Sequence, residues 1–171
     1  EPYITGDYRI LMETPELLIE GLNIVLDMFP KAKGIIGIED NKKDAIAKVE
    51  ALVKGDARIS VATLKTKYPQ GAERSLIFAT TGRSINSSML PADAGCVVDN
   101  VATIVAIKEA VKDGKPLYER VVTVTGDAIK NPSNFKVRTG TNVQELIEAA
   151  GGFKTQPEKI ISGGPMMGMA M

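Results

Sequence analysis

Two apolar runs of strand length, Gly34-Ile35-Ile36-Gly37-Ile38-Glu39 and Arg58-Ile59-Ser60-Val61-Ala62-Thr63-Leu64, flank one helical stripe formed by Ala45, Ile46, Val49, Leu52 and Val53. Strand, helix and strand at this spacing imply a parallel pair joined by a right-handed crossover. The fold class this predicts is α/β, with helices laid against a sheet. Asn41 is the expected cap of the intervening helix and Gly55 its end.

The flanking segments extend the pattern. Thr14-Pro15 followed by Leu17, Leu18, Ile19, Leu22, Val25, Leu26 and Phe29 supplies an N-cap, a proline at the first helical position and a 3.6-residue stripe, so a helix runs to Pro30. Residues 72–79 read as a helix, and Asp99 or Asn100 caps another that runs through Val111. A loop bearing Ser, Pro and Gly, 82–95, lies between them. Asp113-Gly114-Lys115-Pro116 is the clearest break and divides the chain into 1–116 and 117–171. Beyond it, 120–126 and 135–138 read as strands joined through an Asn131-Pro132 turn. Thr141-Asn142-Val143-Gln144 reads as a capping box opening a helix that closes at Gly151-Gly152. A last short strand, 159–162, runs into Gly163-Gly164-Pro165. Hairpin, helix and strand in this order suggest a small β-grasp module.

Composition narrows the chemistry. Of 171 residues, 21 are Lys or Arg and 21 are Asp or Glu, so no bulk charge draws the chain to nucleic acid. No apolar stretch reaches membrane-span length and no charged-then-apolar leader opens the residues, so a soluble chain is expected. The abrupt ends, at Glu1-Pro2 and Met169-Ala170-Met171, suggest an excised piece. With no His and one Cys, neither a histidine triad nor a zinc site nor an iron–sulfur cluster can be assembled from these residues. Cys96, in the apolar setting Gly95-Cys96-Val97-Val98, is expected to be an inert buried thiol. Any redox group must be borrowed, and no catalytic side chain or metal ligand is expected.

Carboxylates, hydroxyls and amides remain as candidates. Glu39-Asp40-Asn41 stands at the carboxyl end of a predicted parallel strand, where open α/β sheets bind ligands. A plain helix cap explains Asn41 equally well. Tyr68-Pro69-Gln70-Gly71 precedes a helix whose N-terminal amides can receive an anion, and the same residues also make an ordinary loop. Asp99-Asn100 reads as a cap or as a polar contact to a cofactor. Glu1, restricted to extended geometry by Pro2, reads on composition as part of a solvated segment. The glycine groups at 34–37, 151–152 and 163–168 lack phosphate-loop spacing. Met166, Met167, Met169 and Met171 suggest packing against further protein.

Six segments together resemble the C subunit of the Rnf electron-transport complex: Glu1-Pro2-Tyr3-Ile4-Thr5, Gly34–Lys42, Lys65-Thr66-Lys67-Tyr68-Pro69-Gln70-Gly71, Leu90-Pro91-Ala92-Asp93, Val122-Thr123-Val124-Thr125-Gly126 and Gly163-Gly164-Pro165-Met166-Met167-Gly168. That family is similar in turn to the flavin-bearing, NADH-oxidising subunit of respiratory complex I. The resemblance implies a Rossmann-like α/β sandwich for FMN and NADH over 1–116 and a soluble-ligand-binding β-grasp (SLBB) domain over 117–171. It places Glu1, Glu39, Asp40 and Asn100 at the walls of the cofactor site, and Tyr68, Gln70 and Gly71 match by sequence. It also implies a glycine-rich phosphate loop upstream and two [4Fe–4S] clusters downstream, both outside these residues, so the fragment is expected to hold FMN weakly or not at all and to be inactive alone. The implied parent is an ion-translocating ferredoxin:NAD oxidoreductase on the cytoplasmic face of the membrane, with other proteins of the complex, NAD(H) and ferredoxin as partners. The alternatives are a soluble paralogue feeding an amino-acid reductase such as proline reductase, and a non-catalytic β-grasp module that binds a ligand or partner.

Overall fold

A computed structural model describes residues 1–171. The chain is mixed α/β and divides into two compact units, Tyr8–Lys115, and Glu1–Asp7 with Pro116–Met171.

In the first unit the parallel pair is present. β1 (Gly34–Glu39) pairs with β2 (Ile59–Leu64), Gly34 opposite Ile59 and Glu39 opposite Leu64, with α3 (Lys43–Leu52) between them in sequence. Alternation along β1 buries Gly34, Ile36 and Ile38 and leaves Ile35 and Gly37 outside. Ile36, Ile38 and Ile59 meet Leu18 and Leu26 of α2 (Pro15–Met28), Ala45 and Val49 of α3, and Ile104 of α5 (Val101–Asp113) in one core. The opposite face is covered only in part, Ile35 staying exposed. Ile59 and Leu64 differ in parity, so they point to opposite faces, and Leu64 packs under α4 (Glu73–Thr81). Gly37 makes this possible: a Cβ there would stand 2.9 Å from Leu64 Cδ1 and 3.0 Å from Leu76 Cδ1. Leu11, buried in the main core, comes from an additional helix, α1 (Gly6–Glu13), where a solvated segment was expected.

The second unit is built on a hairpin of β3 (Glu119–Val124) and β4 (Ser133–Arg138), with Glu119 opposite Arg138. Ile147 and Ala150, at and just beyond α6 (Val143–Ala149), join Ile129 in its core, with Val124, Phe135 and Ile160 against them. The N-terminal residues pack here: Thr5 N–H donates to Thr123 Oγ1 at 3.2 Å, and Asn134 bridges Thr5 and Thr123. Two short strands, β5 (Ile161–Ser162) and β6 (Met169–Ala170), pair antiparallel, and Met166, Met167, Met169 and Met171 are exposed.

Several local expectations shift. Lys42, not Asn41, is the N-cap residue of α3, and Asn41 Oδ1 instead accepts from Lys42 Nζ at 2.9 Å. Asn142 caps α6 by accepting from Gln144 N at 2.8 Å, while the Thr141 hydroxyl donates to Arg138 O and Gln144 Nε2 donates to Glu148, so the cap lies one residue later than anticipated and the Thr141–Gln144 capping box does not form. Thr14 holds the N-cap place of α2 without a side-chain hydrogen bond. Cys96 is half-buried rather than buried, and Arg83 reaches over it to the Ala94 carbonyl at 2.8 Å.

Candidate functional site

The carboxyl ends of β1 and β2 carry most of the expected site residues of the first unit. Glu39, the last residue of β1, is half-buried and forms an ion pair with Lys42 Nζ at 3.0 Å. One turn of chain separates them, so the pair ties the strand end to the start of α3. Asp40 follows and is exposed; its N–H donates to Leu64 O at 2.7 Å, the last rung between the strands. Its Oδ1 accepts twice from Thr66, from the hydroxyl at 2.6 Å and the backbone N–H at 3.1 Å. These two donors hold the Asp40 carboxyl below the usual carboxylate range, with Lys65 and Lys43 reinforcing the effect.

Thr66 begins the loop that carries Tyr68, Gln70 and Gly71 to α4. Gln70 N–H donates to Lys67 O and Ala72 N–H to Pro69 O, both at 2.9 Å, which folds the loop into consecutive turns. Tyr68 is exposed, Gly71 is open to solvent, and Gln70 is buried at 5% exposure. A buried carboxamide is uncommon. Ala72, the N-cap residue of α4, offers no side-chain oxygen to the first turn, whose positive end is met instead by the acidic Glu73. Asp40 and the 65–72 loop are thus brought together by direct hydrogen bonds.

Asn100 is placed by a different element. It caps α5, its Oδ1 accepting from Ala102 N at 2.8 Å, so one of its two expected roles is filled structurally. Glu1 lies in the second unit, where Oε2 accepts from Met166 N at 3.1 Å and the carboxylate rests on Gly164, a position with no room for a Cβ.

Sequence reasoning passed over Thr66, Lys42 and Gly164, the residues that hold Asp40, Glu39 and Glu1. Thr66 owes its place to the strand register: with Glu39 opposite Leu64, a hydroxyl two residues past β2 falls beside Asp40.

Residues 1–109 match the Nuo51 FMN-binding domain and residues 121–170 the SLBB domain. The chain belongs to the Nuo51 FMN-binding domain family. Among its relatives, the C subunit of the Na(+)-translocating ferredoxin:NAD(+) oxidoreductase complex of Acetobacterium woodii is 48% identical over 169 residues, covering 99% of this chain and 38% of that protein. The C subunit of the proton-translocating ferredoxin:NAD(+) oxidoreductase complex of Clostridium ljungdahlii is 49% identical over 99% of this chain and 37% of its own length. The C subunit of the ion-translocating oxidoreductase complex of Yersinia pestis is 42% identical over the whole chain and 28% of its own length. The chain therefore spans well under half of these relatives, which are the proteins its motifs resemble. No helix in it is long and apolar enough to cross a membrane.

Proposed function

We propose that this chain is part of the NADH- and FMN-linked electron-transfer subunit of an ion-translocating ferredoxin:NAD oxidoreductase, held at the cytoplasmic face of the membrane by other proteins of the complex. The Nuo51 FMN-binding match over residues 1–109 carries the reading. The relatives described above lend no support to an amino-acid reductase donor or to a non-catalytic module. Within the proposal, 1–116 is a Rossmann-like α/β sandwich and 117–171 a β-grasp domain, and the [4Fe–4S] clusters belong to the remainder of the full-length protein.

The donor set present fits a flavin nucleotide. Gln70 offers an amide donor and a carbonyl acceptor in a nearly closed setting, and Lys65 and Lys67 of the same loop add positive charge. FMN, when bound, supplies hydride acceptance from NADH and the passage of single electrons onward. The protein's part is binding and orientation. Glu39, partly neutralised by Lys42, accepts hydrogen bonds from ribose or amide groups, and Asn100 contributes a polar wall. Tyr68 and Gly71, exposed at the loop, leave room for the ring to approach.

The test is made on the full-length protein. Stoichiometric FMN and NADH-dependent reduction of a dye acceptor are expected, with Glu39→Gln weakening NADH turnover about tenfold. A full-length protein that holds no flavin and oxidises no NADH would overturn the proposal.

A further inference from the structure

Of the two acidic residues at the end of β1, Asp40 has its inward oxygen already occupied. Oδ1 accepts both the Thr66 hydroxyl at 2.6 Å and the Thr66 N–H at 3.1 Å, immediately after the last strand rung, Asp40 N–H to Leu64 O. From Thr66 onward the loop is held by its own turns, Gln70 to Lys67 and Ala72 to Pro69. Its tie to the strand end is therefore made at its first residues. Glu39 is held differently, by a flexible lysine at 3.0 Å that can exchange for another partner.

We propose that Asp40 is a positioning residue: through Thr66 it sets the path of residues 67–72, and with it the placing of Gln70 and the first turn of α4. The proposal rests on the reading that this loop borders the flavin, and it assigns ligand contact at the strand end to Glu39 rather than to Asp40. Small displacements of binding groups are costly, so loosening the tie weakens the site without removing any atom from it.

The experiment compares Asp40→Ala, Thr66→Val, the double variant and Thr66→Ser in the full-length protein, reading FMN dissociation and the rate of tryptic cleavage after Lys65 and Lys67. Both single variants are expected to weaken FMN and to speed cleavage: Thr66→Val, which loses the hydroxyl bond, by a factor of about ten, the loss expected for a hydrogen bond to a charged acceptor, and Asp40→Ala, which loses the backbone bond as well, by at least as much. The double variant is expected to be no worse than Asp40→Ala alone, because the hydroxyl bond that Thr66→Val removes is one of the two that Asp40→Ala already removes. Thr66→Ser, which keeps both donors, restores wild-type behaviour. Weakened FMN in Asp40→Ala with an unaffected Thr66→Val would overturn the assignment and place Asp40 against the ligand. If the wild type binds no FMN, the flavin reading fails, and cleavage still decides the tie: faster cutting in both single variants supports it, unchanged cutting refutes it.

Discussion

Gly21 in α2 faces the Ile104 carbonyl of α5 with no space for a side chain, since a Cβ there would overlap both the carbonyl oxygen and its carbon. The two helices share the main core with β1 and β2, and their closeness is a backbone-to-backbone fit. Because backbone rather than a flexible tip blocks the position, a methyl group must push the helices apart. Gly21→Ala is expected to cost about 3 kcal/mol by chemical denaturation, despite the better helix propensity of alanine. An unchanged midpoint would show that the two helices separate freely.

The Tyr8 hydroxyl of α1 donates a short hydrogen bond to Asp44 at the start of α3. The bond holds the Asp44 carboxyl below its usual range and raises Tyr8 above the usual phenol range. Asp44 therefore adds stability that is fully present above the unfolded carboxylate pKa of about 4 and disappears as pH falls through the lower folded value. Tyr8 adds stability that is present below about pH 10 and disappears on further alkalinisation. Tyr8→Phe should flatten both limbs of a stability-versus-pH curve. A wild-type curve superimposable on that of the variant would contradict this.

Asn100 separates a cap from a ligand contact. Asn100→Ala removes the acceptor for Ala102 N and is expected to destabilise the chain by about 1 kcal/mol. Asn100→Asp keeps that oxygen and should retain stability. If the amide nitrogen also serves the proposed flavin, the aspartate variant of the full-length protein loses FMN affinity while melting normally; equal FMN affinity in the two proteins would leave Asn100 a cap alone.

Glu1 rests its carboxylate on Gly164, and a methyl group there would occupy the carboxylate's place. The obstacle is the end of a flexible side chain, so Gly164→Ala is expected to cost less than about 1 kcal/mol of stability. It should nevertheless displace Glu1 from Met166 N. Melting close to that of the unsubstituted protein is expected, and a loss above about 2 kcal/mol would show that Glu1 cannot turn aside.

The parallel pair, the crossover helix, the hairpin after Pro116 and the helices at α2, α4, α5 and α6 were readable because each carries its own period and punctuation. α1 was not, since its charged residues Asp7, Arg9 and Glu13 obscure a short stripe whose value lies in Leu11 reaching a distant core. Cap positions moved by one residue at Asn41 and Thr141 because the side chains of both are engaged elsewhere, Asn41 by Lys42 Nζ and Thr141 by the Arg138 carbonyl. At the site, the acidic strand end and the loop motif stood out from their wording, whereas the burial of Gln70 and the grip of Thr66 on Asp40 depend on the register between β1 and β2, which no local pattern records.

Gly37 has a mechanical consequence for this whole end of the unit. Because it lets Leu64 and Leu76 close over the strand, the clearance between sheet and α4 is one side chain's thickness less than it would otherwise be. Adding a single carbon there would meet the tips of two leucines, which must turn aside, so the seating of this helix on the strand is set by a residue that has no side chain of its own.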